Sequence, residues 1–315
     1  SKKMSDILLD YVFEVDIQEP LPIADVSVLH SVAVVVKAKD GVSDTFASIT
    51  NPSQIANYTD NTDIIQLFNA GMSKIYLVLW DGDDVSDLAG ILGANKDKFL
   101  TLLVSSDYAE SDYGNIYEAI KSYNFVLGKA FVNIETAKIY ALKTRHIAFL
   151  TSNSTLDGNM FYAFGKLLSA LEWNNQQYIE CPNNDLITDL NVAKNYSDDR
   201  LSFVLTSATY QNRLAFFVAG GQAIAGPYII ENLKIDMQAS ALKYINTNRP
   251  DYTITQAVLL QNELQKVIDG YIEQELLSGG TVEIELVNEN FVANGNVSVP
   301  QPMALWGVKV ELQQV

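Results

Sequence analysis

Ile75-Tyr76-Leu77-Val78-Leu79-Trp80, then Asp81-Gly82-Asp83-Asp84, then a helical-period segment over 85–92 and a second apolar run over 99–104, is the stretch whose reading decides the fold. Six consecutive apolar residues do not suit a strand with one wet face. They need cover on both sides, as parallel strands packed between helices have. The acidic turn between them supplies a capping Asp and negative charge at a helix start, where the backbone dipole favours it. The alternation continues outward, with helices over 116–123, 137–143 and 160–171 and strands over 125–132, 147–151, 178–181 and 201–205. The expected fold class is therefore α/β (α+β), a mostly parallel sheet flanked by helices.

Three segments outside that body have a different rhythm. Tyr11, Phe13, Val15 and Ile17 alternate with Glu14, Asp16 and Gln18. Val282, Ile284 and Leu286 alternate with Thr281, Glu283 and Glu285, and Val308, Val310 and Leu312 with Lys309, Glu311 and Gln313. Period two gives an extended chain one apolar and one polar face, so each segment reads as a half-buried strand that needs a partner in its own chain or another. Between them Thr253 with Gln256 forms a capping box, and Ile254, Val258, Leu264, Val267, Ile268, Tyr271 and Ile272 form one stripe of a helix. That helix is expected to reach about residue 277 and to end at Gly279-Gly280. The Asn-rich segment 288–306, with Gly295, Pro300 and Pro302, reads as an irregular spacer before a last strand at 307–315. The expected division is an N-terminal arm at 1–22, an α/β body at 23–280 that is one domain or two, and a C-terminal strand and arm at 281–315.

Composition narrows the function. The chain has 315 residues, 48% of them hydrophobic, with 21 Lys+Arg against 38 Asp+Glu and a formal net charge of -17. That balance repels a phosphate backbone, and there is no segregated basic run, so no nucleic-acid partner is expected. The single cysteine, Cys181, excludes an intramolecular disulfide and reads as a small buried hydrophobe. Lys2 and Lys3 have no apolar run behind them, so no secretory signal is expected. The most membrane-like stretch, 214–230, is interrupted by three glycines, Gln222 and Pro227 and reads as buried, so no membrane insertion is expected.

Catalytic signatures are missing. The two histidines, His30 and His146, sit in apolar surroundings, and there is neither a Gly-x-Ser-x-Gly elbow nor a recognisable Cys-His pair. The acidic turn at 81–84 does not follow the EF-hand order and reads as a polar turn and helix cap. Asp107, Glu110 and Asp112 lie near the next strand end, and nothing in their spacing makes them converge. The small-residue run 219–226 lacks the Gly-Lys-Ser/Thr ending of a phosphate loop. The sixteen tyrosines, scattered along the chain, suit core and interface. No catalytic, cofactor-binding or metal-binding residue is assigned.

The C-terminal third carries a recognisable layout: Gly226-Pro227-Tyr228, Ile230-Glu231-Asn232-Leu233-Lys234-Ile235-Asp236, the capped helix from Thr253, Gly279-Gly280, the strand at 282–287, and Trp306-Gly307-Val308-Lys309-Val310-Glu311-Leu312. It resembles the tail sheath proteins of contractile bacteriophages, of the short type without large surface insertions. The resemblance implies a virion structural subunit, assembled in the host cytoplasm, that polymerises helically around a tail tube. Its partners would be further copies of itself, the tail tube protein, and baseplate and tail terminator proteins; an R-type bacteriocin or other injection-system sheath fits the same layout. It implies that the terminal arms add strands to neighbouring subunits, with Tyr11, Phe13, Val15 and Ile17 and Val308, Val310 and Leu312 on donor strands and Val282, Ile284 and Leu286 on the receiving sheet. It implies contraction that drives the tube through the host envelope without nucleotide hydrolysis, and no cofactor. The alternative is an α/β small-ligand-binding protein or enzyme with its site at the strand ends near Asp81 and Asp107.

Overall fold

The structure, a computed structural model, describes residues 9–17, 26–151, 157–170, 179–182, 189–206, 213–216, 218–219, 222–287 and 290–300. They divide into two compact units. The first takes the described residues of Ser1–His30, Asp97–Phe99 and Gln222–Gln301, the second those of Ser31–Lys96 and Leu100–Gly221.

The second unit is the α/β body anticipated from the apolar runs. Its six-stranded sheet has β2 (Val32–Val36) and β4 (Ile75–Leu79) beside each other, β3 (Phe46–Ile49) on the β4 edge, and β5 (Thr101–Val104), β6 (Val126–Phe131) and β7 (His146–Leu150) following on the other side of β2. All neighbours are parallel except β3, which runs antiparallel to β4. Flanking helices are α1 (Ile65–Asn69), α2 (Val85–Asn95), α3 (Tyr113–Ile120), α4 (Ile134–Ala141) and α5 (Gly158–Ala170). Every residue of β2, β5, β6 and β7 is buried, because helices cover both sheet faces. The central strand, Val32-Ala33-Val34-Val35-Val36, has no exposed side chain at all, and each buried valine contributes about 1.5–3 kcal/mol. After α6 (Leu190–Asp198) the antiparallel pair β8 (Phe203–Leu205) and β9 (Arg213–Phe216) follows.

Where the second unit departs from the sequence reading, short elements are the reason. Of the strand expected at 178–181, the described residues 179–181 make no regular strand, and residue 178 lies outside those described.

The first unit holds a three-stranded antiparallel sheet, β1 (Leu9–Ile17), β13 (Asn290–Val299) and β12 (Gly279–Val287), with α7 (Ala225–Asn248) and α8 (Ile254–Glu273). The short strands β10 (Val218–Ala219) and β11 (Gln222–Ala223) precede α7 in the chain. Helix α7, 24 residues long, carries no clear stripe at its start, where Ala225 to Ile230 are all buried. Its Pro227 sits in the first turn, where a missing N–H costs nothing, so the Gly-Pro pair opens a helix instead of breaking one. Among the described residues no helix is long and apolar enough to cross a membrane.

Three expectations for this unit are corrected. Thr253 does accept from the Gln256 amide at 3.3 Å, but the Gln256 side chain accepts from the Tyr244 hydroxyl at 2.9 Å, so the box is half made. Helix α8 stops at Glu273, and Glu275 takes the left-handed conformation (φ 59°) expected of glycine, while Gly279 and Gly280 begin β12. The segment expected to be a spacer at 288–306 contains the ten-residue strand β13. Asn290, Asn294, Asn296 and Gly295 imitate turn signals there, and they hid a period-two pattern of Phe291, Ala293, Val297 and Val299.

Candidate functional site

The small sheet assembles most of the residues the sequence singled out. Strand β13 is its middle. On one side β1 pairs with it over nine residues, from Leu9 opposite Val299 to Ile17 opposite Phe291; on the other β12 pairs from Gly279 opposite Ser298 to Val287 opposite Asn290. Three rows result: Phe13–Gly295–Val282, Val15–Ala293–Ile284 and Ile17–Phe291–Leu286, with Tyr11 opposite Val297. The register thus lines up the apolar sets of all three strands, because a slip of one residue would invert each set. Val308, Val310 and Leu312 lie outside the described residues.

Gly280 and two glutamines tighten this sheet against α8. A Cβ on Gly280 would stand 2.5 Å from Val297 Cγ1 and 3.1 Å from Ile268 Cγ2, so only glycine lets β12, β13 and α8 approach this closely. Gly280→Ala is expected to lower stability by about 1–3 kcal/mol, read as a lower midpoint in urea, since neither neighbour is a free chain end. Gly295, opposite both Phe13 and Val282, is buried. Gln261 and Gln265 of α8 accept from the backbone amides of Ile284 and Val282, each at 3.2 Å. Sequence reading missed them because a glutamine on a helix carries no signal of which backbone it will reach.

The second candidate lies where the parallel sheet changes winding direction, at the carboxyl ends of β4 and β5 on either side of β2, the place where α/β sheets hold ligands. A cleft of about 890 Å³ opens there, lined by Trp80, Asp81, Asp84, Asp107, Tyr108 and Glu118 among others. Asp81 and Asp107, named from sequence, do come together on it, and each carboxylate already accepts a hydrogen bond from the protein. Asp81 Oδ1 accepts from the Asp83 amide at 3.1 Å, and Gly82 makes the turn at φ +97°. Asp84 caps α2 by accepting from the Ser86 amide at 2.8 Å, which holds its carboxyl below the usual carboxylate range. Asp107 accepts from the Lys37 amide at 3.0 Å and from Asn61 Nδ2 at 3.3 Å. Glu110 is turned instead to the start of α4, accepting from the Val132 and Asn133 amides at 2.5 and 3.2 Å. The acidic turn is therefore the helix cap expected, and among the described residues no three Asp, Glu, His or Cys are grouped to hold a metal ion.

Below this rim lies a buried charged pair that sequence did not mark. Lys129, 1% exposed in the middle of β6, donates to the Ser105 carbonyl at 2.6 Å and the Tyr108 carbonyl at 3.1 Å. Burial pulls its ammonium below the ordinary lysine range, and Asp157, Glu110 and Asp107 pull it back up. Asp157 accepts from the Ser106 amide at 2.5 Å, donates its own amide to Asp63 at 3.0 Å, and is pushed up to about 6 by burial, against the opposing pull of Lys129. These groups tie the loop after β5 to the middle of β6 and to the start of α5. His146 is equally inward: its Nε2 meets the Tyr113 hydroxyl at 2.6 Å within a cluster of Tyr117, Phe131 and Tyr140, and burial drops its pKa to about 3. It is a neutral core histidine at pH 7.

Comparison with known proteins shows a likeness in fold. No family model and no curated protein matches the chain. Among solved structures, a chain in the "Cryo-EM structure of the anti-feeding prophage (AFP) baseplate, 6-fold symmetrised" superposes with a TM-score of 0.66 at 12% identity, over 94% of this chain and 97% of that one. The two chains share a fold across almost their whole lengths.

Proposed function

We propose that this chain is a structural, non-enzymatic subunit of a contractile tail sheath, one that polymerises helically around a tail tube by exchanging its terminal strands and contracts to drive the tube through a host envelope. The observation that carries the reading is the seating of β1 on β13 over nine residue pairs, next to β12. A strand held by register can be exchanged with that of a second copy at low cost, since the same bonds form in either arrangement. The whole-length likeness to a chain of the anti-feeding prophage baseplate supports placing it in a contractile machine. Its partners on this reading are other copies, the tail tube protein, and baseplate and tail terminator proteins, with the virion tail as its location; a bacteriocin or other injection-system sheath is the same reading in a different particle.

Electron microscopy of the concentrated chain should show hollow helical tubes. Exchange itself is read by Val12→Cys with Asn296→Cys, residues that stand opposite each other across β1 and β13. Oxidation of the assembled protein should give a ladder of covalent multimers; an internal bridge alone, with every chain running as a monomer, would rule exchange out. The second reading, a small-ligand protein, has in its favour the cleft at the winding switch. A monodisperse monomer or dimer whose melting temperature rises with a bound small molecule would select it.

A further inference from the structure

We infer that Gln261 and Gln265 lock the β12 edge of the small sheet, so that a strand from a second copy of this chain enters the sheet only on its β1 side. The inference rests on the strand-exchange reading and names the residues that direct it.

In an antiparallel strand, alternate residues turn their backbone groups toward opposite edges. Val282 and Ile284 turn theirs away from β13, and an edge of this kind is ordinarily a template for pairing. Here it is occupied. Gln261 Oε1 accepts from the Ile284 amide and Gln265 Oε1 from the Val282 amide, each at 3.2 Å, while Gln265 Nε2 donates to the Gly280 carbonyl at 3.1 Å. A further bond from Gln265 Nε2 to Asp269 Oδ1, at 3.0 Å, fixes the orientation of that amide. Spacing explains why two glutamines suffice. Residues four apart on a helix rise about 6 Å, and residues two apart on a strand advance about 6.8 Å, so one face of α8 meets two successive outward amides. A primary amide offers the same carbonyl and N–H as a peptide group. Gln261 and Gln265 therefore stand in for a fourth strand.

The opposite end of the sheet is β1, whose strand neighbour among the described residues is β13. Residues 301–315 lie outside the described residues. They include the alternating Val308, Val310 and Leu312, the segment to which we assign the incoming strand.

The test uses the full chain and a synthetic peptide of residues 305–315, read by site-resolved amide hydrogen exchange. In the unsubstituted chain the peptide should slow exchange within β1 and leave Val282 and Ile284 unchanged. In Gln261→Ala/Gln265→Ala, Val282 and Ile284 should exchange about tenfold faster without peptide and be protected again when it is added. Peptide protection of Val282 and Ile284 in the unsubstituted chain overturns the lock. So does a double variant in which the peptide still protects β1 alone, or a peptide that protects neither edge. Tube formation by the same chain, scored separately by microscopy, reports on the sheath reading: tubes with a β12 edge that gains protection would retain that reading and reject the lock.

Discussion

Lys129→Ala should destabilise the α/β unit by about 3–5 kcal/mol, the range for removing one member of a buried charged set. The ammonium in the middle of β6 holds the Ser105 and Tyr108 carbonyls and offsets the buried Asp157 carboxylate. Alanine removes all three compensations and leaves a cavity besides. Lys129→Met separates the two contributions, because it refills most of the volume and restores none of the charge. If the charge dominates, the methionine variant stays nearly as unstable as the alanine one, and adding Asp157→Asn to either recovers part of the loss. Urea unfolding of the parent and these four variants measures this. A Lys129→Ala chain within 1 kcal/mol of the parent would mean that the buried pair contributes little.

Acid stability turns on two buried groups that oppose each other. His146 has its pKa lowered from 6.5 to about 3, so the unfolded chain binds the proton first and stability, full above pH 6.5, drains as pH falls toward 3. Asp157 is raised from 3.8 to about 6, so its contribution is fully present below pH 3.8 and is lost as pH rises through 6. Between pH 6 and 4 one pH unit is worth about 1.4 kcal/mol for either group, with opposite signs, and the two nearly cancel. Asp157→Asn should therefore unmask His146: the variant loses about 3 kcal/mol between pH 6 and 4, a window in which the parent is nearly flat in these two groups. Denaturation midpoints collected across that range check the sign as well as the size. A variant whose midpoint holds steady as the pH falls would show that His146 is not the acid-labile group.

The parallel body was legible because its strands are continuous apolar runs. Ile75 to Leu79, the run over 101–104 and the run ending at Phe131 announce two-sided burial by themselves. The candidate sheet was legible in halves. Alternation marked β1 and β12, but β13 passed for a spacer because its Asn and Gly residues carry turn preferences that cross-strand pairing overrides. Helix α7 was hidden for the opposite reason: a helix end buried all round, as at Tyr228, Ile229 and Ile230, has no stripe to detect.

By itself the sequence determined the α/β class, the acidic turn as the Asp84 cap of α2, and the two alternating strands that now flank β13, because periodicity and capping are local and each residue's neighbours in the chain settle them. Only the tertiary structure decided that β13 joins those strands, that Asp107 is taken up by Lys37 and Asn61, that Lys129 and Asp157 face each other's charge in the core, and that Gln261 and Gln265 bond the edge of β12. Each of those depends on which distant backbone a side chain meets. A polar side chain's role is set by the partner that satisfies it, and the partner is a property of the fold.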